Sequence, residues 1–257
     1  MSERVRLKLS AKFIMRENAK SVYLISLIYI LFLAIIAYLT QLVSGSDRLY
    51  SGINDVAMSG YTVPLEPYFE DFLERLTPFD GLLMLALQLV ASIVAVGYVL
   101  VAVRMTRGQG AEVKTLFDGF AFAVKIICLQ IVTGFFIFLW SLLLLVPGII
   151  ASLRYSLAIY VLADDPTKGV LECIRESKRM MKGRKLDLFV LELSFIGWMF
   201  VAGFIAAICA LIISLPLNVF MIWLQPYMSL TLANFYNQVS GRAPLRLPPP
   251  DPGMPGL

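Results

Sequence analysis

The chain has 257 residues, 59% of them hydrophobic and only 16% charged, with a formal net charge of +4. Soluble domains run near half apolar and about a quarter charged, so the composition excludes an ordinary soluble fold. The excess falls in runs of about 20 residues, the length a helix needs to cross the hydrocarbon layer.

In chain order, residues 1–20 read as a basic amphipathic helix. Val5, Leu9 and Phe13 recur on one stripe, and Arg4, Lys8, Lys12 and Arg16 on another. Such a helix lies on an anionic inner leaflet. The first crossing, 21–43, is too long for a signal-peptide core and reads as an uncleaved anchor. The outer loop, 44–80, sets Arg48 and Arg75 against Asp47, Asp55, Glu66, Glu70, Asp71, Glu74 and Asp80. Within it, Phe69, Phe72, Leu73 and Leu76 give 67–76 a helical stripe, closed by Pro78.

Crossings 81–103 and 120–146 flank a basic link with Arg104, Arg107 and Lys114. Pro147-Gly148 is expected to make the hairpin turn, since proline cannot continue the ladder and glycine allows positive φ. The return crossing, 149–163, reaches only ~22 Å, short of the ~30 Å core. Asp165 and Pro166 read as the cap and first turn of a cytoplasmic amphipathic helix over 165–183. It sets Val170, Ile174, Ser177 and Met181 against Arg175, Lys178, Arg179 and Lys182. Crossings 188–213 and 217–239 follow. The proline-rich tail, 240–257, reads as disordered.

Nineteen of the 22 Lys and Arg fall in segments 1–20, 104–125, 163–187 and 240–257. Lys and Arg resist translocation, so these segments stay in the cytoplasm. The expectation is an all-α, polytopic protein of a bacterial inner membrane, with both termini cytoplasmic. Six transmembrane helices form three hairpins, each preceded by a basic amphipathic helix. An internal repeat supports three units: residues 11–27 align without gaps on 177–193, matching Lys12 with Lys178, Met15 with Met181 and Tyr23 with Phe189.

Apart from Lys125 at the cytoplasmic edge of 120–146, Arg154 and Glu192 are the two full charges inside crossings. An unpaired charge there costs at least ~2.5–3.5 kcal/mol, so the two are expected to face the interior and bind each other. Histidine is absent, which removes the commonest general base and metal ligand. Cys128, Cys173 and Cys209 have neither zinc nor redox spacing, and read as packing residues. No phosphate loop, dinucleotide fingerprint, metalloprotease helix or nucleophile elbow is present. The sequence therefore points away from an enzyme, a cofactor, a metal or nucleic acid. It points toward a scaffold or accessory protein engaging anionic lipid headgroups, a protein partner or a second copy. The alternative is a small transporter or channel for a lipid-like substrate, using Arg154 and Glu192.

The segments WSLLLLVPGII (140–150), RYSLAIYVLADDP (154–166), ESKRMMKGRKLDLFVLELSFIGW (176–198) and QPYMSLTLANFY (225–236) occur in an order that resembles the bacterial membrane proteins of domain-of-unknown-function family 975. A more distant likeness is to the membrane domains of glycerophosphodiester phosphodiesterases. The first resemblance implies a membrane-embedded fold and no known activity.

Overall fold

The computed structural model describes residues 2–44, 70, 77–213 and 218–249, and no strand occurs among them. The acidic outer loop and its expected helix at 67–76 lie outside the described residues, apart from Glu70 and 77–80. Nine α-helices are described: α1 (Glu3–Glu17), α2 (Ala19–Ser44), α3 (Pro78–Thr106), α4 (Ala123–Leu143), α5 (Leu145–Tyr155), α6 (Ala158–Asp164), α7 (Val170–Met180), α8 (Lys185–Ile213) and α9 (Met221–Ser240). A 3-10 segment, Val113–Phe122, leads into α4. Five stretches are long and apolar enough to cross a membrane: Ala19–Ser44, Pro78–Thr106, Val113–Leu143, Leu145–Asp164 and Lys185–Cys209.

The bundle is organised around α3, which packs against α1, α2, α4, α6, α9 and the 3-10 segment. Its start is fixed by a capping box: the Thr77 hydroxyl accepts from the Asp80 N–H at 3.2 Å, and the Thr77 N–H donates to the Asp80 carboxylate at 3.0 Å. Pro78 thus opens α3 rather than closing the segment before it. Toward its other end, Gly97 lets the 3-10 segment lie directly on the helix. A Cβ at Gly97 would stand 1.8 Å from the Leu116 carbonyl oxygen. Tyr98 stacks on Tyr29 of α2 with ring centroids 4.4 Å apart and hydrogen-bonds Ser26 at 2.7 Å, so the one buried polar contact between α2 and α3 is satisfied.

Several boundaries correct the sequence reading. The bend between α4 and α5 is the single extended residue Leu144, not Pro147-Gly148. Both residues lie in the first turn of α5, where proline's missing N–H leaves no ladder bond unmade. Gly148 has no positive φ. It is needed for closeness instead, because a Cβ there would meet the Ser141 hydroxyl at 2.2 Å. The return crossing breaks at Ser156 and Leu157 into α5 and α6, and the two together span Leu145–Asp164. Asp165 does not cap α7. Its carboxylate accepts from the Thr167 N–H at 3.1 Å, closing a local turn, and α7 begins only at Val170.

In α1, the buried stripe is Leu7, Ala11, Ile14 and Met15, while Val5 and Leu9 point outward. Two apolar stripes compete on this helix, and packing on α9 selects the one that brings the Leu7 carbonyl to the Asn234 amide. In α7, Cys173, Ile174 and Ser177 are buried. The repeat carries over into packing. Met15 and Met181, Val22 and Leu188, Ile25 and Leu191, and Tyr29 and Phe195, each 166 apart in sequence, are all buried. Each copy is thus a surface helix that turns into a long apolar helix with the same inward stripe.

Candidate functional site: an ionic network at one end of the bundle

The chain segments that follow α3, α6 and α9 meet at one end of the bundle. There α3 ends in Arg107, α6 ends in Asp164, and α9 ends at Gly241, whose left-handed backbone (φ 68°) turns the chain back over the helix ends. Arg107 grips Asp164 through two bonds, Nη1 to Oδ1 at 2.5 Å and Nη2 to Oδ2 at 3.1 Å. This two-pronged geometry gives direction as well as charge. Arg107 Nε also donates to the Asn237 side-chain oxygen at 3.1 Å, and the Asn237 amide donates to the Thr106 hydroxyl at 2.8 Å. The Tyr236 hydroxyl donates to Asp164 Oδ2 at 3.0 Å.

The turn at Gly241 delivers Arg242 to the same cluster. It contacts Asp164, donates to the Tyr236 oxygen at 2.9 Å, and reaches Glu176 of α7 at 3.3 Å. Lys168 closes the far side of Glu176 at 2.5 Å. From α4, the Lys125 ammonium donates to the carbonyls of Pro166, Thr167 and Lys168. The Asp164 and Glu176 side chains are only 9% and 15% exposed, and Arg107 and Lys168 only 18% and 17%. Partly buried charges at this depth persist because each has hydrogen-bonded partners. Burial pushes the Arg107 guanidinium below its ordinary value.

The tail extends this network. Arg246 pairs with Glu17 of α1 at 2.9 Å, and Leu245 packs against the core. Residues 241–249 are therefore pinned across the end of the bundle, which corrects the reading of the whole tail as disordered. Arginine–carboxylate pairs, rather than apolar burial, hold it. Residues 250–257 lie outside the described residues.

The network's chemistry is that of a clamp. Both central carboxylates are engaged by cations. No group of three or more Cys, Asp or Glu among the described residues could hold a metal. The hydrogen bond to Glu176, the largest influence on Lys168, holds its ammonium above the ordinary value of 10.5. The sign follows from linkage. A raised folded-state value contributes stability that is fully present below 10.5 and is lost as pH rises through the folded value. Thermal midpoints in detergent should therefore fall more steeply above pH 10.5 in the wild type than in Lys168→Met. Equal slopes would remove Lys168 from the clamp.

Arg154 and Glu192 are not brought together: no ion pair joins them among the described residues. Arg154 lies in the last turn of α5, half-buried, with its backbone carbonyl accepting from the Ser177 hydroxyl at 2.8 Å. Glu192 is exposed, beside the buried stripe Leu188, Leu191 and Phe195 of α8. Equal depth along two helices does not set the direction in which each side chain leaves its helix.

The basic surface residues are placed as follows. Arg4, Lys12, Arg16, Arg175, Lys178, Arg179 and Lys182 are exposed, and Lys8 is half-buried. Lys8 stands over the Phe195 ring at 4.4 Å, Lys12 over Tyr227 at 5.6 Å, and Lys178 between Tyr155 at 5.4 Å and Phe136 at 5.8 Å. Burial, then the neighbouring Lys12 and Arg4 charges, pull the Lys8 amine below its ordinary value. These ring contacts orient the cations.

Sequence reasoning missed Arg107, Asp164, Glu176, Tyr236, Asn237 and Arg242. A signal was present: Thr231, Asn234 and Asn237 recur every three residues along one helix, and all three are buried. A polar stripe at helical spacing marks the face that meets partners inside the bundle. No curated protein and no solved structure matches the chain, so the likeness to phosphodiesterase membrane domains has no support from a match. Residues 142–243, which hold Asp164, Glu176, Tyr236, Asn237 and Arg242, match the model of the family described as Protein of unknown function (DUF975).

Proposed function

We propose that this is a non-enzymatic, membrane-embedded scaffold or accessory protein that engages anionic lipid or a protein partner through its basic surface helices. It resides in a bacterial inner membrane with the clamped end facing the cytoplasm. The observation that carries the reading is how α1 and α7 are held. Each buries one stripe against the bundle, Leu7 to Met15 in one and Cys173 to Ser177 in the other, while its cations, the half-buried Lys8 apart, stay exposed. A cation near an anionic leaflet contributes about 1 kcal/mol, and a rigidly docked helix presents several at one level.

The clustering of the basic segments at one end supports the orientation, since retained Lys and Arg mark the cytoplasmic side. α9 supplies the sixth crossing. Its 20 residues reach ~30 Å, and its polar stripe turns inward to α1 and α3.

The test is lipid enrichment around the full chain in nanodiscs of mixed anionic and zwitterionic lipid, read by mass spectrometry. Glutamine at Arg4, Lys12, Arg16 and Arg175 together is expected to lower anionic enrichment several-fold. Enrichment unchanged by all four substitutions, with no co-purifying protein lost, would refute the reading.

A further inference from the structure

A cavity of about 330 Å³ opens beside the clamp, lined by Glu176, Arg179, Met180, Lys182, Arg184, Gln238, Val239 and Ser240. Its size falls within the ~300–1,000 Å³ of small-molecule sites, and its lining carries three cations against one carboxylate. That carboxylate is already engaged, by Lys168 at 2.5 Å and Arg242 at 3.3 Å. Arg184 is shared with Glu3 at 3.0 Å. Among the described residues, the side chains of Arg179 and Lys182 have no partner at all. Two unneutralised cations facing one polar cavity make an anion site, and a guanidinium beside an ammonium suits phosphate.

The cavity's depth supplies a second observation. It lies at the turn between α7 and α8, and the apolar run of α8 begins at Leu188, four residues after Arg184. That is ~6 Å of helix, so in a membrane the cavity sits at the level of the headgroups.

We infer that this cavity binds a phosphate ester, supplied as the headgroup of an anionic phospholipid. In this assignment Arg179 and Lys182 take the phosphate. The inference rests on the lipid-engaging reading above and goes beyond it, since surface attraction needs no discrete site.

The experiment is native mass spectrometry of the full chain in mild detergent, with phosphatidylglycerol added. The wild type should retain one phosphatidylglycerol. Arg179→Gln/Lys182→Gln should lower retention at least tenfold, whereas Lys178→Gln, a neutralised neighbour directed at Phe136 and Tyr155, should retain it.

Equal retention by the Arg179/Lys182 double variant and by Lys178→Gln would overturn the site. Displacement of the lipid by millimolar glycerol phosphate would overturn the lipid as its source in favour of a soluble phosphate ester. Nanodisc enrichment that persists without any retained lipid would sink this site and leave the broader reading standing. Loss of both would sink the two together.

Discussion

Asp164→Ala is expected to destabilise the protein by about 3–5 kcal/mol, the range for removing one partner of a buried, hydrogen-bonded ion pair. The substitution removes the carboxylate while leaving the Arg107 and Arg242 guanidiniums converging on an apolar methyl group, with Tyr236 losing its acceptor. Most of the loss comes from the uncompensated cations, not from the missing attraction. The double substitution Arg107→Met/Asp164→Leu, of similar volume and without charge, should therefore recover much of the stability. Cys173 offers a local readout. It is fully buried on α7, and burial pushes its thiol above the ordinary value, so it should resist maleimide in the folded protein. In a background carrying Cys128→Ser and Cys209→Ser, labelling of Cys173 should accelerate markedly in Asp164→Ala and return toward the wild-type rate in the double variant. Labelling that stays slow in Asp164→Ala would show that α7 is held without the clamp.

Gly97→Ala should be as damaging through a different cause. Overpacking a core by a methylene usually costs about 1–3 kcal/mol because side chains can shift. Here the obstacles are backbone atoms, the Leu116 carbonyl oxygen at 1.8 Å and its carbon at 2.5 Å. The 3-10 segment must leave α3 altogether, and with it the Arg104–Thr115 hydrogen bond at 3.2 Å and the Arg104–Asp118 pair at 3.0 Å. Loss of monodisperse protein after detergent extraction is the expected result. Gly134→Ala is the control. A Cβ there meets nothing within 4 Å, and alanine is the better helix former by about 1 kcal/mol. Gly97→Ala that extracts and melts like Gly134→Ala would refute the close contact.

Much of this architecture was readable from composition and spacing. Long apolar runs are legible because burial in lipid demands them over a full crossing, and five stretches meet that length. The repeat was legible because the same inward stripe recurs, as Met15 and Met181 illustrate. Turns were less so. Pro147-Gly148 carries the residues of a hairpin bend, yet the bend is at Leu144 and Gly148 serves the approach of two helices. Local chemistry lists the places where a chain can turn, and packing chooses among them. The face of α1 was misread for the same reason, since Val5–Leu9 and Leu7–Ala11–Ile14 are both plausible stripes until α9 is in place.

Charge partners were the least legible. Arg154 and Glu192 stand out in sequence because their neighbours are apolar, but isolation in sequence does not bring two side chains to one point. Asp164 sits beside Asp165 and Pro166, a setting that reads as a turn. Its partners, Arg107 and Arg242, are 57 and 78 positions away. Only the bundle puts them in contact.

The chain's return at Gly241 has a temporal consequence. α6 and α7 emerge from the ribosome well before Arg242 and Arg246 exist, so through that interval Asp164 has only Arg107 as a counter-ion, Glu176 has only Lys168, and Glu17 lacks Arg246. Assembly of this end is thus finished by its latest-made cations, and a nascent chain halted before position 242 would leave these three carboxylates each short of one.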